Sequence, residues 1–284
     1  MLSNYLKIAL RNLRKQPGYT FINVTGLAVG IACCILIVLF VRDELSYDRF
    51  HPHADRLYRV VMDGKIADRL LHAPVTPAPM AAALVAEVPE VETATRLFFV
   101  NTEALVRYED RQFVEERVLF ADSNFFDVFG IDFVQGNPQT ALVEPFSIVL
   151  TESAAQRYFG EAEPLGQVLD YDGYPGADSL QFTVTGILRG VPENTHLAFT
   201  ALASLEGIET ESDNFGSYKP LWTYVLLPEG TSPEPLETKL PDFVERHLAS
   251  PTTATTLHLE PITDIHLHSR YDGGFKPKGD STYL

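Results

Sequence analysis

Cysteine is nearly absent from this chain of 284 residues: Cys33 and Cys34 are the only two, and they are adjacent. Neither a disulfide framework nor a four-ligand zinc site can be built from such a pair. The sequence has no G-x-x-x-x-G-K-S/T loop, so no P-loop ATPase is built into it. It also lacks H-E-x-x-H and G-x-S-x-G, and no G-x-G-x-x-G follows a strand pattern. Positive charge is scarce, with 22 Lys and Arg against 38 Asp and Glu, a net charge of −16 and a pI near 4.8. That balance argues against a nucleic-acid binder, which needs a basic face for phosphates. Hydrophobic residues at 45% exclude a disordered chain, and the length suits one large domain or two small ones.

Charge is also missing from one long stretch. No charged residue occurs between Lys15 and Arg42. Thr20–Val41 is 22 apolar-rich residues, roughly 33 Å as a helix, which matches a hydrocarbon core of about 30 Å. Residues 1–41 carry Lys7, Arg11, Arg14 and Lys15 and no acid, a net of +4, whereas residues 42–284 hold 18 basic and all 38 acidic residues, a net of −20. The asymmetry predicts a membrane span with the N-terminus cytoplasmic and residues 42–284 outside. A cleaved signal peptide would end in small residues, but this run ends Leu39-Phe40-Val41-Arg42. A lipoprotein signal fits Ile31-Ala32-Cys33 poorly, because Ile35-Leu36-Ile37-Val38 follows the cysteine.

Gly26 and Gly30 lie four residues apart, with Cys34 four further on, so the span presents small side chains along one face. Such a face lets membrane helices approach closely, and Asn23 and Thr25 add polar groups that prefer a helix neighbour to lipid. Asn23, Gly26, Gly30 and Cys34 are therefore the candidate helix-packing residues. Before the span, Leu2, Leu6, Leu10 and Leu13 recur at helical spacing beside four basic residues. That predicts a basic amphipathic helix over residues 1–18 lying on lipid, ahead of a span over 19–41.

In the outer segment, Arg56–Met62 reads as a strand. Thr76 and Pro77 open a helix that carries Met80, Leu84 and Val88 on one side, and Thr95–Tyr108 reads as extended. The same order returns: strand Leu221–Leu227, a helix from Ser232 with a break near Lys239–Leu240 at Pro241, and strand Thr255–Ile262. Two strand–helix–strand units sharing one sheet make a split βαβ layer. Between them, strands at Arg117–Ala121, Phe146–Leu150 and Gln181–Leu188 surround a short helix capped by Thr151 and closed by Gly160, while Asp170–Ser179 reads as loop. The expected fold is α+β: a membrane helix, then a core domain over 42–284. Its split βαβ part covers about 50–108 and 220–268, and a β-rich insertion covers about 109–219.

Chemistry-bearing residues are few. On a strand, Asp264, His266 and His268 would share a face and could offer three metal ligands. The alternative is a polar strand edge of hydrogen-bonding histidines, and the same holds for His51 and His53. The pairs Asp43/Glu44 and Glu115/Glu116 read as solvated faces. No catalytic, metal or cofactor residue is assigned.

Several short stretches, in order, resemble permeases of the ABC transporter class that includes the macrolide exporter MacB, the lipoprotein-release permeases and FtsX. They are the basic Leu6–Lys15, Ile22-Asn23-Val24-Thr25-Gly26-Leu27-Ala28-Val29-Gly30, Tyr47-Asp48-Arg49-Phe50-His51 and Arg56-Leu57-Tyr58-Arg59-Val60. Leu150-Thr151-Glu152-Ser153-Ala154-Ala155, Tyr158-Phe159-Gly160, Pro164-Leu165-Gly166 and Leu259-Glu260-Pro261-Ile262-Thr263-Asp264-Ile265-His266-Leu267-His268-Ser269 complete the series. The resemblance implies a periplasmic core domain on an inner-membrane permease with four spans, the second beyond residue 284, so the chain reads as the first part of such a permease. It further implies an ATP-binding partner subunit, a second permease copy, a periplasmic or outer-membrane partner, and mechanical coupling in place of bond-making chemistry. Two other readings remain: a single-pass anchored binding or sensor domain, and an anchored hydrolase or metal enzyme using the histidine–aspartate cluster.

Overall fold

In the computed structural model, residues 11, 13–66, 69–100, 103–174, 179–208, 215, 221–250, 253–271 and 275 are described. The chain forms two units, Met1–Ser46 and Tyr47–Tyr283. In the first, helix α1 runs Pro17–Glu44, 28 residues, with Pro17 in its first turn, where a missing N–H is harmless. At about 1.5 Å per residue it is roughly 42 Å long, long and apolar enough to cross a membrane, and none of its residues is buried. Arg42 in its last turn complements the negative end of the helix. The amphipathic helix expected over residues 1–18 falls mostly outside the described residues.

The second unit is built on strands β1 Leu57–Ile66, β2 Arg69–Ala73, β3 Thr93–Phe99, β4 Ala104–Tyr108, β5 Arg111–Glu115, β6 Val118–Ala121 and β7 Phe133–Gly136. These are followed by β8 Ser147–Thr151, β9 Val168–Asp172, β10 Leu180–Leu188, β11 Ala201–Ser204, β12 Trp222–Leu226 and β13 Thr253–Pro261. Helices α2 Met80–Glu87, α3 Phe125–Phe129, α4 Glu152–Phe159, α5 Glu234–Glu237 and α6 Leu240–His247 lie between them. The strands join in the order β13-β1-β12-β3-β6-β11-β8-β10-β9-β4-β5, with β2 beside β1 and β7 beside β10.

The first four strands of that order are the expected split βαβ layer. β1 is antiparallel to β12 and β13, and β12 is antiparallel to β3. Helix α2 follows β1, and α5 and α6 link β12 to β13. Met80, Leu84, Leu240 and Phe243 bury one helix layer against Val60, Val225 and Leu257. The helix break falls at Lys239, as Pro241 predicted, but α2 starts at Met80 and not at Pro77. Thr76 instead exchanges backbone hydrogen bonds with Leu221, and its hydroxyl pairs with Thr223 at 2.8 Å.

The middle of the chain continues this sheet through β3 and β6, which pair at Leu97↔Ala121, Phe98↔Phe120 and Phe99↔Leu119. The extended run predicted over Thr95–Tyr108 is two strands in different places. β3 stays in the split βαβ half, while β4 pairs with β5 and β9 near the far edge. Part of the predicted loop Asp170–Ser179 is strand β9. Thr151 caps α4 by accepting from the Ala154 N–H, and Gly160 closes it. Tyr158 and Phe159 of α4 pack on Phe182 and Leu169, while Phe125, Phe126 and Phe129 of α3 fill a separate cluster with Leu119, Leu202 and Tyr224.

Candidate functional site: a buried polar junction

The stretch after the apolar helix, Tyr47–His51, carries two polar side chains into the core, Asp48 and His51. Asp48 is wholly buried and holds a left-handed φ of 59°. An Asp tolerates that backbone because its side chain bonds locally. The Asp48 N–H donates to the Asn194 carbonyl at 2.9 Å. Its carboxylate accepts from the Thr195 hydroxyl at 2.6 Å and the His196 N–H at 3.1 Å, with His196 Nδ1 at 2.9 Å. His51 Nδ1 donates to the Phe129 carbonyl at 2.8 Å, leaving Nε2 facing Asp48 at 3.6 Å.

From there the network crosses the sheet. His196 Nε2 lies 2.8 Å from the Tyr224 hydroxyl on β12. Beside it on β1, Arg59 is 1% exposed and donates through Nε to Glu260 of β13 at 3.0 Å, and through Nη2 to Ser269 Oγ at 3.2 Å. The rings of Tyr47 and His266 stack at 3.4 Å and 2°. Gly130, at φ 62° in the left-handed cap of α3, lets Pro52 approach; a Cβ there would overlap the proline ring.

Burial alone would raise the Asp48 pKa, but the neighbouring His196, first by its charge, then the His51 ring and the Thr195 hydroxyl outweigh it and hold the carboxyl well below its ordinary 3.8. Burial lowers His196 below its ordinary 6.5, against the pull of Asp48. A neutral His196 fits the contacts: Nδ1 lies 2.9 Å from the Asp48 carboxylate, and Nε2 accepts from the Tyr224 hydroxyl. Burial pushes the Tyr224 phenol up. An Asp–His pair of this kind can orient a nucleophile. Here, though, the third group is a phenol with no exposed surface. The arrangement is suited to holding chain segments in register, not to turning over a substrate.

The junction was not singled out from the sequence, yet the quoted stretches Tyr47–His51, Arg56–Val60 and Leu259–Ser269 all meet in it. Phe129, Gly130, Asn194, Thr195, His196 and Tyr224 lie outside those stretches. Asp264, His266 and His268 do not share a strand face. Ile262–Asp264 is a turn of 3-10 helix and not a strand, so His266 goes inward onto Tyr47 while His268 is exposed. Among the described residues, no group of three or more His, Cys, Asp or Glu side chains is placed to hold a metal. Glu115 corrects the solvated-face reading: it is 3% exposed, pairs with Arg157 and accepts from Thr200 Oγ1 at 2.7 Å. Asn23, Gly26, Gly30 and Cys34 all lie exposed on α1, and a Cβ at either glycine would meet nothing within 4 Å.

A domain of a protein named as a permease, from Porphyromonas gingivalis, shares 23% identity over 81% of this chain and 95% of its own, with a TM-score of 0.66. The periplasmic region of MacB from Actinobacillus actinomycetemcomitans shares 12% over 72% of this chain and 89% of its own, with a TM-score of 0.50. The extracellular domain of the noncanonic ABC-type transporter YknZ from Gram-positive bacteria shares 13% over 70% of this chain and 99% of its own, at a TM-score of 0.46. No curated protein matches the chain. The α+β sheet unit has the fold of the first two structures, and the sequence pattern goes further. It matches the MacB-like periplasmic core domain from residue 20 to residue 243, so the chain belongs to that family.

Proposed function

We propose that this chain is a permease component of an ABC transporter, with α1 spanning the inner membrane, its N-terminus cytoplasmic and the sheet unit periplasmic. Family membership supports a transporter component, and one observation carries the finer reading. The family match runs from within an apolar 28-residue helix into the core domain. In this reading a separate ATP-binding subunit drives the membrane helices, and the sheet unit relays the motion outside to export or extract a substrate. The Asp48–His196–Tyr224 junction keeps the segment after α1 fixed to the sheet, so displacement is passed on and not absorbed. Asn23, Gly26, Gly30 and Cys34 would pack α1 against further membrane helices, in a second copy or elsewhere in the assembly.

The test is extraction of the tagged full-length chain in mild detergent, followed by photolabelling with an azido-ATP analogue. An ATP-labelled subunit should co-purify, and Gly30→Leu should weaken its retention. A chain that always extracts without an ATP-binding subunit or other membrane helices would overturn the proposal.

A further inference from the structure

The main path of the sheet ends in β13 on one side and β5 on the other. Natural sheets protect such edges with charge, proline, bulges or brevity. β5 is protected, being five residues long with Arg111 and Glu115 at its ends. β13 is not: it has nine residues, and Thr253–Leu259 contains no Asp, Glu, Lys or Arg. Glu260 turns inward to Arg59, and the single proline, Pro261, is the last residue.

A cavity of about 360 Å³ lies along this edge. It is lined by Thr255 to His258 of β13, Glu237 of α5, and Pro241 and Val244 of α6. Successive strand residues face opposite ways. Leu257 packs in the helix-layer core, and His258 faces Asp63 on the other side at 3.2 Å. A cavity touching both faces therefore runs along the edge of the strand that no other strand pairs with among the described residues, between it and α6. That is the shape taken by a groove that receives an added strand: backbone groups on one wall, an apolar helix side on the other.

The charges around it select the occupant. The basic side chains of this helical stretch are engaged towards α2, Lys239 with Glu90 at 2.5 Å and Arg246 with Glu87 at 2.9 Å. Glu237, Asp242 and Glu245 are exposed, and among the described residues no basic side chain forms a salt bridge with them. A second copy of this chain pairing edge to edge would bring two such acidic rims together. We propose that β13 accepts an extended segment of a partner protein as an added strand. Its side chains facing the helices would be aliphatic, against Pro241, Val244 and Leu257, and the segment as a whole would be basic, opposite the acidic rim of Glu237, Asp242 and Glu245. This assignment is independent of the transport reading.

The probe is a fluorescein-labelled decapeptide of alternating valine and lysine, added to the full-length chain in detergent. Binding should raise the anisotropy and slow amide hydrogen exchange within residues 253–258. A peptide of the same composition with a central proline, which cannot complete the ladder, should bind at least roughly tenfold more weakly. Glu237→Lys, an exposed substitution, should weaken the valine–lysine peptide roughly fivefold and favour one of alternating valine and glutamate. Equal binding of the proline peptide, or binding without protection of residues 253–258, would overturn the proposal. Protection of those amides that rises with protein concentration alone would overturn it too, by assigning the edge to a second copy.

Discussion

Asp48 gives the sharpest test of the junction, because its side chain and its backbone pull in different directions. Replacement by alanine removes the acceptor for the Thr195 hydroxyl, the His196 N–H and the His196 ring, all in a site closed to water. Leaving a buried donor unsatisfied costs about 1–3 kcal/mol, so stranding the Thr195 hydroxyl and the His196 N–H together should cost about 3–5 kcal/mol. At a urea slope of about 2–3 kcal/mol/M, Asp48→Ala should lower the unfolding midpoint by about 1–2 M. Asp48→Gly loses the same hydrogen bonds but relaxes the left-handed φ of 59°, so it should be about 1 kcal/mol less damaging than alanine. Asp48→Asn keeps an acceptor and a residue that tolerates this φ, and should fall between wild type and glycine. Trp222 is the only tryptophan, sits on β12 two residues before Tyr224, and packs its ring 4.7 Å from that of Phe275. Its fluorescence therefore reports unfolding next to the perturbed network. A change of less than about 1 kcal/mol for Asp48→Ala, set against the 3–5 expected, would refute the idea that this network anchors the segment. Glycine proving worse than alanine would refute the strain argument alone.

Acid should weaken the fold in two stages. Below pH 6.5 the unfolded chain takes a proton that buried His196 refuses, and below about 3.8 the unfolded chain protonates its Asp48 while the folded one resists. The urea midpoint should thus drop between pH 7 and pH 5, and His196→Gln should flatten that slope; an unchanged slope assigns it elsewhere. Gly130→Ala should destabilise by about 1–3 kcal/mol, through its positive φ and the clash with Pro52, read as a lower thermal midpoint. Thr151→Ala should cost about 1 kcal/mol by removing the cap on α4, and Thr151→Ser should restore most of it.

The split βαβ layer was legible because its signals are local. Met80, Leu84 and Val88 repeat at helical spacing, Pro241 breaks a helix, and Leu257 and Leu259 alternate. The apolar helix was legible for the same reason, since length and missing charge suffice. The sheet order was not, because Leu97 meeting Ala121 and β4 joining β9 depend on pairings between distant residues. The junction was half visible. Asp48, Arg59 and Glu260 lie in stretches quoted for the resemblance, but an Asp beside an apolar helix looks like a surface residue until Thr195 and His196 arrive from nearly 150 residues away. His266 misled for a related reason: two-residue spacing means a shared face only on a strand, and Pro261 ends the strand before it.

The seam between β3 and β12 has a consequence for how this architecture varies. The chain departs after Phe99 and returns at Trp222, and Trp222 pairs directly with Leu97. Everything between the two strands is one excursion of the chain, tied back to the sheet by β6 against β3 and to the segment after α1 by Phe129, Thr195 and His196. The entropy of closing such a detour grows only with the logarithm of its length, each doubling adding roughly 0.6 kcal/mol. Length can therefore be added to the loops of that excursion at little entropic penalty, so long as β6 and the partners of Asp48 keep their places.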